Sequence, residues 1–177
     1  MKAIVLADGD VQPRDRLDAV WPGWSDGVGL VVAADGGARH AAALGLRLDL
    51  WVGDGDSVGD GALRELAGEG VAIERAPIDK DESDTELAIR AAIDRGADGV
   101  VILGAFGGRR LDHTLANVGL LALPSLAGRA AALLDAAARI RLLRAPGDGI
   151  ARARLDLSGR VGDLVSLVPF GPGVAGV

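Results

Sequence analysis

Short apolar runs alternate with helical patterns along most of this 177-residue chain, and the alternation restricts the fold more than any other feature. Each run is continuous and only a few residues long, which indicates a strand that is buried on both faces. Strands that alternate with helices form a parallel sheet with helices on both sides. The predicted strands lie at 3–6, 30–34, 50–52, 71–73, 100–103 and 131–134, and the helices at about 14–20, 37–44, 60–67, 84–95 and 112–121.

The pattern changes after residue 135, where short apolar runs are separated by Gly, Pro and Asp and no long helix intervenes. These runs lie at 140–143, 150–155, 164–168 and 174–177. We therefore predict an α/β protein in which residues 1–135 form a three-layer, Rossmann-like catalytic domain that binds a nucleotide. Residues 136–177 are expected to begin a C-terminal antiparallel β domain for substrate binding and dimerisation, which is incomplete at this length.

Composition excludes several classes of function. The net charge of −6 and the small aromatic content, three Trp and two Phe, argue against nucleic acid as a partner. The absence of cysteine excludes disulfides, thiolate metal sites and a cysteine nucleophile. No apolar run approaches the ~20 residues of a membrane span, and the first run is too short for a signal peptide, so we expect a cytoplasmic protein without a membrane partner.

Polar segments, three of them marked by glycine, follow four of the predicted strands. They are A-D-G-G at 34–37, G-D-G-D-S at 53–57, K-D-E-S-D-T-E at 80–86 and the segment 104–117, which contains G-G-R-R-L-D-H-T-L-A-N. Because parallel sheets bind ligands at the carboxyl ends of their strands, these segments are expected to share one crevice. Their acidic and basic residues predict that the crevice handles phosphate.

Asp54 and Asp56 flank a glycine just after a predicted strand. On extended backbone alternate side chains point the same way, so both carboxylates can converge on one hard cation such as Mg²⁺. The plainer alternative is a solvated Asp-Gly turn.

The segment 80–86 combines a helix start with a dense group of charges. Ser83 and the glutamate three residues later fit a capping box, so a helix is predicted to begin at Asp84. Asp81 and Asp84 could complete the acidic group, while Lys80, one of only two lysines, could neutralise phosphate. The alternative is that the carboxylates only favour the helix N-terminus and that the lysine is there by chance.

The segment 104–117 supplies cations. Its glycines predict a tight turn, after which Arg109 and Arg110 could each bind phosphate oxygens through a guanidinium fork. Asp112 is predicted to cap the following helix, with His113 and Asn117 on one face of it. A lone histidine is more often structural, and we interpret His40 in that way.

The turn at 34–37 has the position of a nucleotide-binding turn, which makes Asp35 and Gly36 candidate nucleotide contacts. Neither a P-loop nor a dinucleotide fingerprint occurs in the chain.

In this order, the four segments resemble the thiamine pyrophosphokinase family over about residues 1–143. The resemblance implies an α/β catalytic domain, a C-terminal β domain, a homodimer, Mg²⁺, and transfer of a diphosphoryl group from ATP to the hydroxyl of thiamine with release of AMP. By motif position, Asp54, Asp56 and Asp84 would hold metal. The residues that would line the ATP and alcohol sites are Asp35, Ser57, Lys80, Arg109, Asp112, His113 and Asn117.

Asp112 is the candidate for orienting or deprotonating the hydroxyl. The chain departs from the family pattern at Gly55, where an aromatic residue is usual, and at 109–110, where two arginines replace one. Two alternatives stay open at this stage: a pyrophosphokinase acting on a pterin alcohol, and a nucleotide-binding module that is inactive through truncation.

Overall fold

The computed structural model describes residues 1–108, 110–144 and 153–169. It divides into two compact units, Met1–Leu142 and Leu143–Val177. The predicted boundary lay at 135/136, seven residues earlier than this division. The difference arises because a short strand after residue 135 pairs with the sheet of the first unit.

Seven strands of the described residues form one sheet in the order β4-β3-β2-β1-β5-β6-β7. Neighbouring strands are parallel except for the antiparallel pair β6–β7. The six strands predicted in residues 1–135 are confirmed, so the chain has a mixed α/β fold with a mostly parallel sheet. The strands are β1 (Lys2–Leu6), β2 (Val28–Ala34), β3 (Leu50–Gly53), β4 (Ala72–Arg75), β5 (Gly99–Leu103), β6 (Ala130–Leu134) and β7 (Arg139–Ile140).

The helices lie between these strands. In the described ranges, none of them has the length and apolar character needed to cross a membrane. The helix predicted at 37–44 is split into a 3-10 turn, Asp35–Arg39, and one short α-helix. Gly37, in the 3-10 turn, packs directly against the main chain of Leu6, which leaves no space for a side chain. The α-helices are α1 (Arg14–Val20), α2 (His40–Ala43), α3 (Gly59–Gly68), α4 (Asp84–Asp94) and α5 (Leu111–Leu120).

Alternate residues of the central strands enter two apolar clusters. Val5 of β1 belongs to the cluster that contains Ile89 of α4, and the next residue, Leu6, belongs to the cluster that contains Leu17 of α1. All four side chains are fully buried. This two-sided burial explains why the strands are continuous apolar runs.

Two strand predictions after residue 135 need correction. The run at 140–143 contributes only β7, Arg139–Ile140, which pairs antiparallel with β6. The run at 164–168 is not a strand, and the described residues 153–169 contain none. Its apolar side chains are exposed and no described segment supplies the ladder of hydrogen bonds that a strand requires. The run at 174–177 and the first residues of the run at 150–155 lie outside the described residues.

Replacement of Ile89 by alanine should test the packing of α4 on the sheet. The side chain is fully buried, so Ile89→Ala should lower the free energy of unfolding by about 2–5 kcal/mol. The matched control is Leu115→Ala, because Leu115 is 62% exposed in α5 and its truncation should cost at most about 0.5 kcal/mol. Denaturant unfolding measures both, and equal losses would contradict the described packing.

Candidate functional site

The carboxyl ends of β2 and β3 bring acidic side chains together. Asp35 follows β2, Asp54 and Asp56 follow β3, and one carboxylate oxygen from each lies within 4.8 Å of the others. Asp84, the first residue of α4, shares an ion-pair partner with Asp54 and adds a fourth carboxylate. We call Asp35, Asp54, Asp56 and Asp84 the acidic cluster. Of the four residues predicted to hold metal, Asp54, Asp56, Asp81 and Asp84, the structure brings three together, leaves out Asp81 and adds Asp35.

Asp35 has the most unusual environment in the acidic cluster. It is 5% exposed, and its φ of 42° places a non-glycine residue in the left-handed region. The Asp35 carbonyl accepts a hydrogen bond of 3.0 Å from the indole of Trp51, but its Oδ1 is buried and has no partner in the described part of the chain. An unpaired buried oxygen costs about 1–3 kcal/mol, and a bound cation could satisfy it.

The residues around Gly55 form the Asp-Gly turn that was the plainer alternative. Asp54 Oδ1 accepts a hydrogen bond of 3.0 Å from the backbone N–H of Asp56, and Ser57 Oγ donates to Asp56 Oδ1 at 2.9 Å. The hydrogen bond from the Asp56 N–H lowers the pKa of Asp54 most, and the nearby Lys80 lowers it further. The turn uses only one oxygen of the Asp54 carboxylate, Oδ1, and the other, Oδ2, contacts a cation.

That cation is Lys80. Its Nζ lies 3.2 Å from Asp54 Oδ2 and 3.1 Å from Asp84 Oδ1. Burial acts to lower the pKa of Lys80, but attraction to Asp84 and Asp54 outweighs it and raises that pKa. Burial raises the pKa of Asp84, the nearby Asp54 and Asp35 add to this, and Lys80 opposes it. The lysine predicted to neutralise phosphate therefore neutralises carboxylates in this structure.

Asp81 is not brought into the acidic cluster. It is exposed and forms no hydrogen bond or ion pair among residues 1–108, 110–144 and 153–169. The predicted helix start explains its position: Ser83 Oγ accepts a hydrogen bond of 3.2 Å from the Glu86 N–H, which fixes the beginning of α4 at Asp84. Asp81 precedes that cap and faces solvent.

The prediction that Asp112 caps α5 is wrong. The N-cap residue is Arg110, and Asp112 lies in the first helical turn. The guanidinium of Arg110 takes the Asp112 carboxylate in a bidentate ion pair, with Nε–Oδ1 and Nη2–Oδ2 distances of 2.9 and 2.5 Å. The hydrogen bond from Arg110 lowers the pKa of Asp112 to about 2. A charged donor competes better for a carboxylate than a backbone N–H does.

The other residues predicted on the segment 104–117 form no hydrogen bond or ion pair with the acidic cluster where the structure describes them. Asn117 donates a hydrogen bond of 3.0 Å from Nδ2 to the Ala105 carbonyl and so anchors the loop after β5 to α5. His113 is exposed. Arg109 lies outside the described residues. Among the described residues, no hydrogen bond or ion pair links Arg110, Asp112 or Asn117 to the acidic cluster.

The loop after β1 was missed in the sequence. It runs along the loop after β5, and Gly9 N and Asp10 N donate to the carbonyls of Gly104 and Phe106 at 2.8 and 2.7 Å. Asp10 Oδ2 then accepts a hydrogen bond of 3.1 Å from Gly108 N. The available signal was D-G-D at 8–10, which follows an apolar run as the same letters do at 54–56.

Asp8, in the same loop, connects to the turn after β2. Its carboxylate forms an ion pair with Arg39, and Arg39 also donates to the Gly36 carbonyl at 3.0 Å. Gly36 lies against the Asp8 carboxylate with no space for a side chain. His40, interpreted as structural, bonds the Gly9 carbonyl through Nε2 at 2.9 Å. These contacts fix the turn from which Asp35 enters the acidic cluster.

Comparison with known proteins places the chain in a family. A sequence profile described as the thiamin pyrophosphokinase catalytic domain matches residues 24–129. The chain belongs to the thiamin pyrophosphokinase family. The matched residues include the whole acidic cluster, Lys80 and the start of α5. No curated protein sequence matches the chain significantly.

Solved structures agree with this family membership. A thiamin pyrophosphokinase family protein from Enterococcus faecalis is 32% identical with a TM-score of 0.66, over 83% of this chain and 67% of that one. Thiamine pyrophosphokinase from Bacillus subtilis is 26% identical with a TM-score of 0.60, over 76% and 61%. Thiamin pyrophosphokinase from Candida albicans, at 16% identity and a TM-score of 0.54 over 75% and 56%, shares the fold. This chain thus spans about two thirds or less of the length of these proteins.

Replacement of Arg110 should release the Asp112 carboxyl. The ion pair favours the charged form, so Arg110→Gln should raise the pKa of Asp112 from about 2 towards its ordinary value of 3.8. Asp112 then takes up its proton at a higher pH as the solution is acidified. Carboxyl-carbon NMR between pH 2 and 6 measures the midpoint in both proteins, and an unchanged midpoint would contradict the bidentate pair.

Proposed function

We propose that this chain is a Mg²⁺-dependent diphosphotransferase that moves the diphosphoryl group of ATP to the hydroxyl of thiamine and releases AMP. The observation that carries the proposal is the acidic cluster, three of whose carboxylates converge within 4.8 Å at the carboxyl edge of the sheet. The profile of the thiamin pyrophosphokinase catalytic domain covers every one of these residues. Family and geometry therefore support the same site.

The donor set suits Mg²⁺. Hard divalent cations prefer carboxylate oxygens, and Mg²⁺ in nucleotide sites takes few of them, completing its shell with phosphate oxygens and water. Asp35, Asp54 and Asp56 would hold the ion, and the buried, unpartnered Oδ1 of Asp35 supports this assignment. Asp84 is engaged by Lys80 and would be a ligand only after that contact opens. Bound Mg²⁺ would neutralise phosphate charge and polarise the phosphoryl group under attack.

Lys80 and Arg110 are the proposed phosphate contacts among the described cations. Each is held by a carboxylate in this structure, Lys80 by Asp54 and Asp84, and Arg110 by Asp112. A polyphosphate offers several anionic oxygens and can compete for both cations, as charge-assisted bonds to phosphate are strong. Further predicted contacts with the nucleotide or the alcohol are Gly36, Ser57, Arg109, His113 and Asn117.

Asp112 would orient the hydroxyl rather than remove its proton. The pKa of Asp112 is about 2 while Arg110 holds the carboxylate and returns towards its ordinary value of 3.8 once a polyphosphate draws Arg110 away, so in either state Asp112 is a weak base at neutral pH. It remains a good hydrogen-bond acceptor and can align the alcohol oxygen with the β-phosphorus of ATP. The alcohol oxygen forms a bond to the β-phosphorus and gives its proton to solvent water. The bond between the β-phosphorus and the oxygen that bridges the α- and β-phosphates breaks, and AMP leaves with that oxygen on its phosphate. Positioning and charge stabilisation account for most of the rate in such transfers.

Product analysis tests this reaction. Incubation with ATP, Mg²⁺ and thiamine should give thiamine diphosphate and AMP in equal amounts by mass spectrometry, because both terminal phosphates leave together. A pterin alcohol in place of thiamine should give no AMP above the control without acceptor. ADP as the main nucleotide would indicate a simple kinase, and bound ATP without turnover would indicate a nucleotide-binding module; either result would contradict the proposal.

Removal of a single negative charge tests the acidic cluster. Asp54→Asn and Asp56→Asn should each lower turnover by at least about a hundredfold, because an amide cannot replace the charge of a carboxylate ligand. The matched control is Asp60→Asn, since Asp60 is a neighbouring exposed carboxylate that pairs with Arg75 outside the cluster. It should retain turnover. Thermal unfolding of the three variants checks that the fold survives, and near-normal turnover of both cluster variants would refute the metal assignment.

The same proposal includes a homodimer and a cytoplasmic location. The second compact unit exposes several large apolar side chains that a partner could cover, at Leu157, Leu164, Val165, Leu167 and Val168. Light scattering distinguishes a dimer from the monomer that would contradict it.

A further inference from the structure

Lys80 lies between two carboxylates, a position that binding of phosphate alone would not require. Its Nζ lies 3.2 Å from Asp54 Oδ2 and 3.1 Å from Asp84 Oδ1, and its side chain is 11% exposed. Within the described residues, neither carboxylate has another cationic side chain as partner. The lysine thus joins the loop after β3 to the first turn of α4 through a charged hydrogen bond to Asp54 and an ion pair with Asp84.

The lysine satisfies only part of the acidic cluster. It pairs with Asp54 and Asp84, but within the described part of the chain the buried Oδ1 of Asp35 has no partner, and the buried Oδ1 of Asp84 has the ion pair with Lys80 but no hydrogen bond. Asp54 is also one of the three residues whose oxygens converge within 4.8 Å. A divalent cation bound by those three carboxylates would share Asp54 with an ammonium group, and two cations on one carboxylate repel each other.

We propose that Lys80 is an internal competitor for the divalent cation, which holds the acidic cluster together until a polyphosphate draws its ammonium group away. An ammonium on a flexible four-carbon stem can change partners without moving the backbone. The divalent cation then binds weakly alone and more tightly with a polyphosphate, and by linkage each strengthens the binding of the other. The identity of the polyphosphate as ATP rests on the proposed function, whereas the competition itself does not.

The test measures Mn²⁺ binding to the full chain without nucleotide, by the electron paramagnetic resonance of free Mn²⁺. Mn²⁺ prefers the same oxygen ligands as Mg²⁺. Lys80→Met keeps most of the side-chain volume but removes the charge. It should bind Mn²⁺ roughly tenfold more tightly, because the repulsion between an ammonium group and a cation a few ångströms away changes a binding constant by about that factor even in water. Lys80→Arg keeps the charge and should bind no more tightly than the parent protein.

Lys2 provides a matched control because it is the only other lysine in the chain. Its ammonium donates to the backbone carbonyls of Trp24 and Asp26, away from the acidic cluster. Lys2→Met makes the same change in net charge and should leave the affinity for Mn²⁺ unchanged. Equal or weaker Mn²⁺ binding by Lys80→Met would overturn the proposal, and so would an equal gain in Lys2→Met.

A measurement on the unaltered protein gives an answer even if Lys80→Met fails to fold. Acetylation of the two lysines by a water-soluble reagent, followed by mass spectrometry, reports how free each amine is. Saturating Mn²⁺ should raise the rate of acetylation at Lys80 severalfold relative to Lys2. An unchanged ratio of the two rates would show that Mn²⁺ does not displace the lysine.

Both measurements are free of ATP and thiamine, so their outcome is separate from that of the proposed reaction. If the protein forms AMP and thiamine diphosphate but Lys80→Met binds Mn²⁺ no more tightly than the parent, only this inference is contradicted. If Lys80→Met binds Mn²⁺ more tightly but the protein forms no AMP, only the proposed reaction is contradicted.

Discussion

Repulsion between carboxylates at the ends of β2 and β3 is the constraint on which the site depends. Asp35, Asp54 and Asp56 lie within 4.8 Å of one another at one oxygen each, an arrangement that is unfavourable unless positive charge is supplied. Lys80 and the N-terminus of α4 supply part of it. The rest of the site follows from this requirement, since the left-handed turn at Asp35 and the cap at Ser83 both serve to hold charged groups against the sheet edge.

The sheet topology offers a second position for a ligand, between β1 and β5, but the backbone of the loops after these strands occupies it. The strand order reverses between β1 and β5, where parallel sheets commonly bind nucleotides. Here the loops after these strands pack against each other through hydrogen bonds from Gly9 to Gly104 and from Asp10 to Phe106. Gly9 lies so close to the carbonyls of Gly104 and Phe106 that a side chain there would overlap them. The acidic cluster lies one strand further along, after β2 and β3.

The sequence predicted the features that depend on burial or on local backbone chemistry. The parallel strands are recognisable because burial on both faces makes them continuous apolar runs. The start of α4 is recognisable because the Ser83 side chain accepts a hydrogen bond from the Glu86 N–H, as a capping box requires. It failed where two partners compete: Arg110 takes the carboxylate of Asp112 from the helix cap. The run at 164–168 is apolar enough for a strand, but a strand also needs a neighbour, which composition cannot reveal. The second D-G-D, at 8–10, follows an apolar run as the one at 54–56 does, but its acidic side chains contact Arg39 and the Gly108 N–H.

A cysteine at position 54 would test most directly whether the acidic cluster holds the catalytic cation. The chain has no cysteine of its own, so Asp54→Cys introduces a single thiolate, a soft ligand that binds Cd²⁺ well and Mg²⁺ poorly. AMP formation by this variant should be lost with Mg²⁺ and partly restored by Cd²⁺, while the unaltered protein should prefer Mg²⁺. Full turnover of Asp54→Cys with Mg²⁺ alone would contradict the account, because the carboxylate of Asp54 would then not be needed to bind the ion.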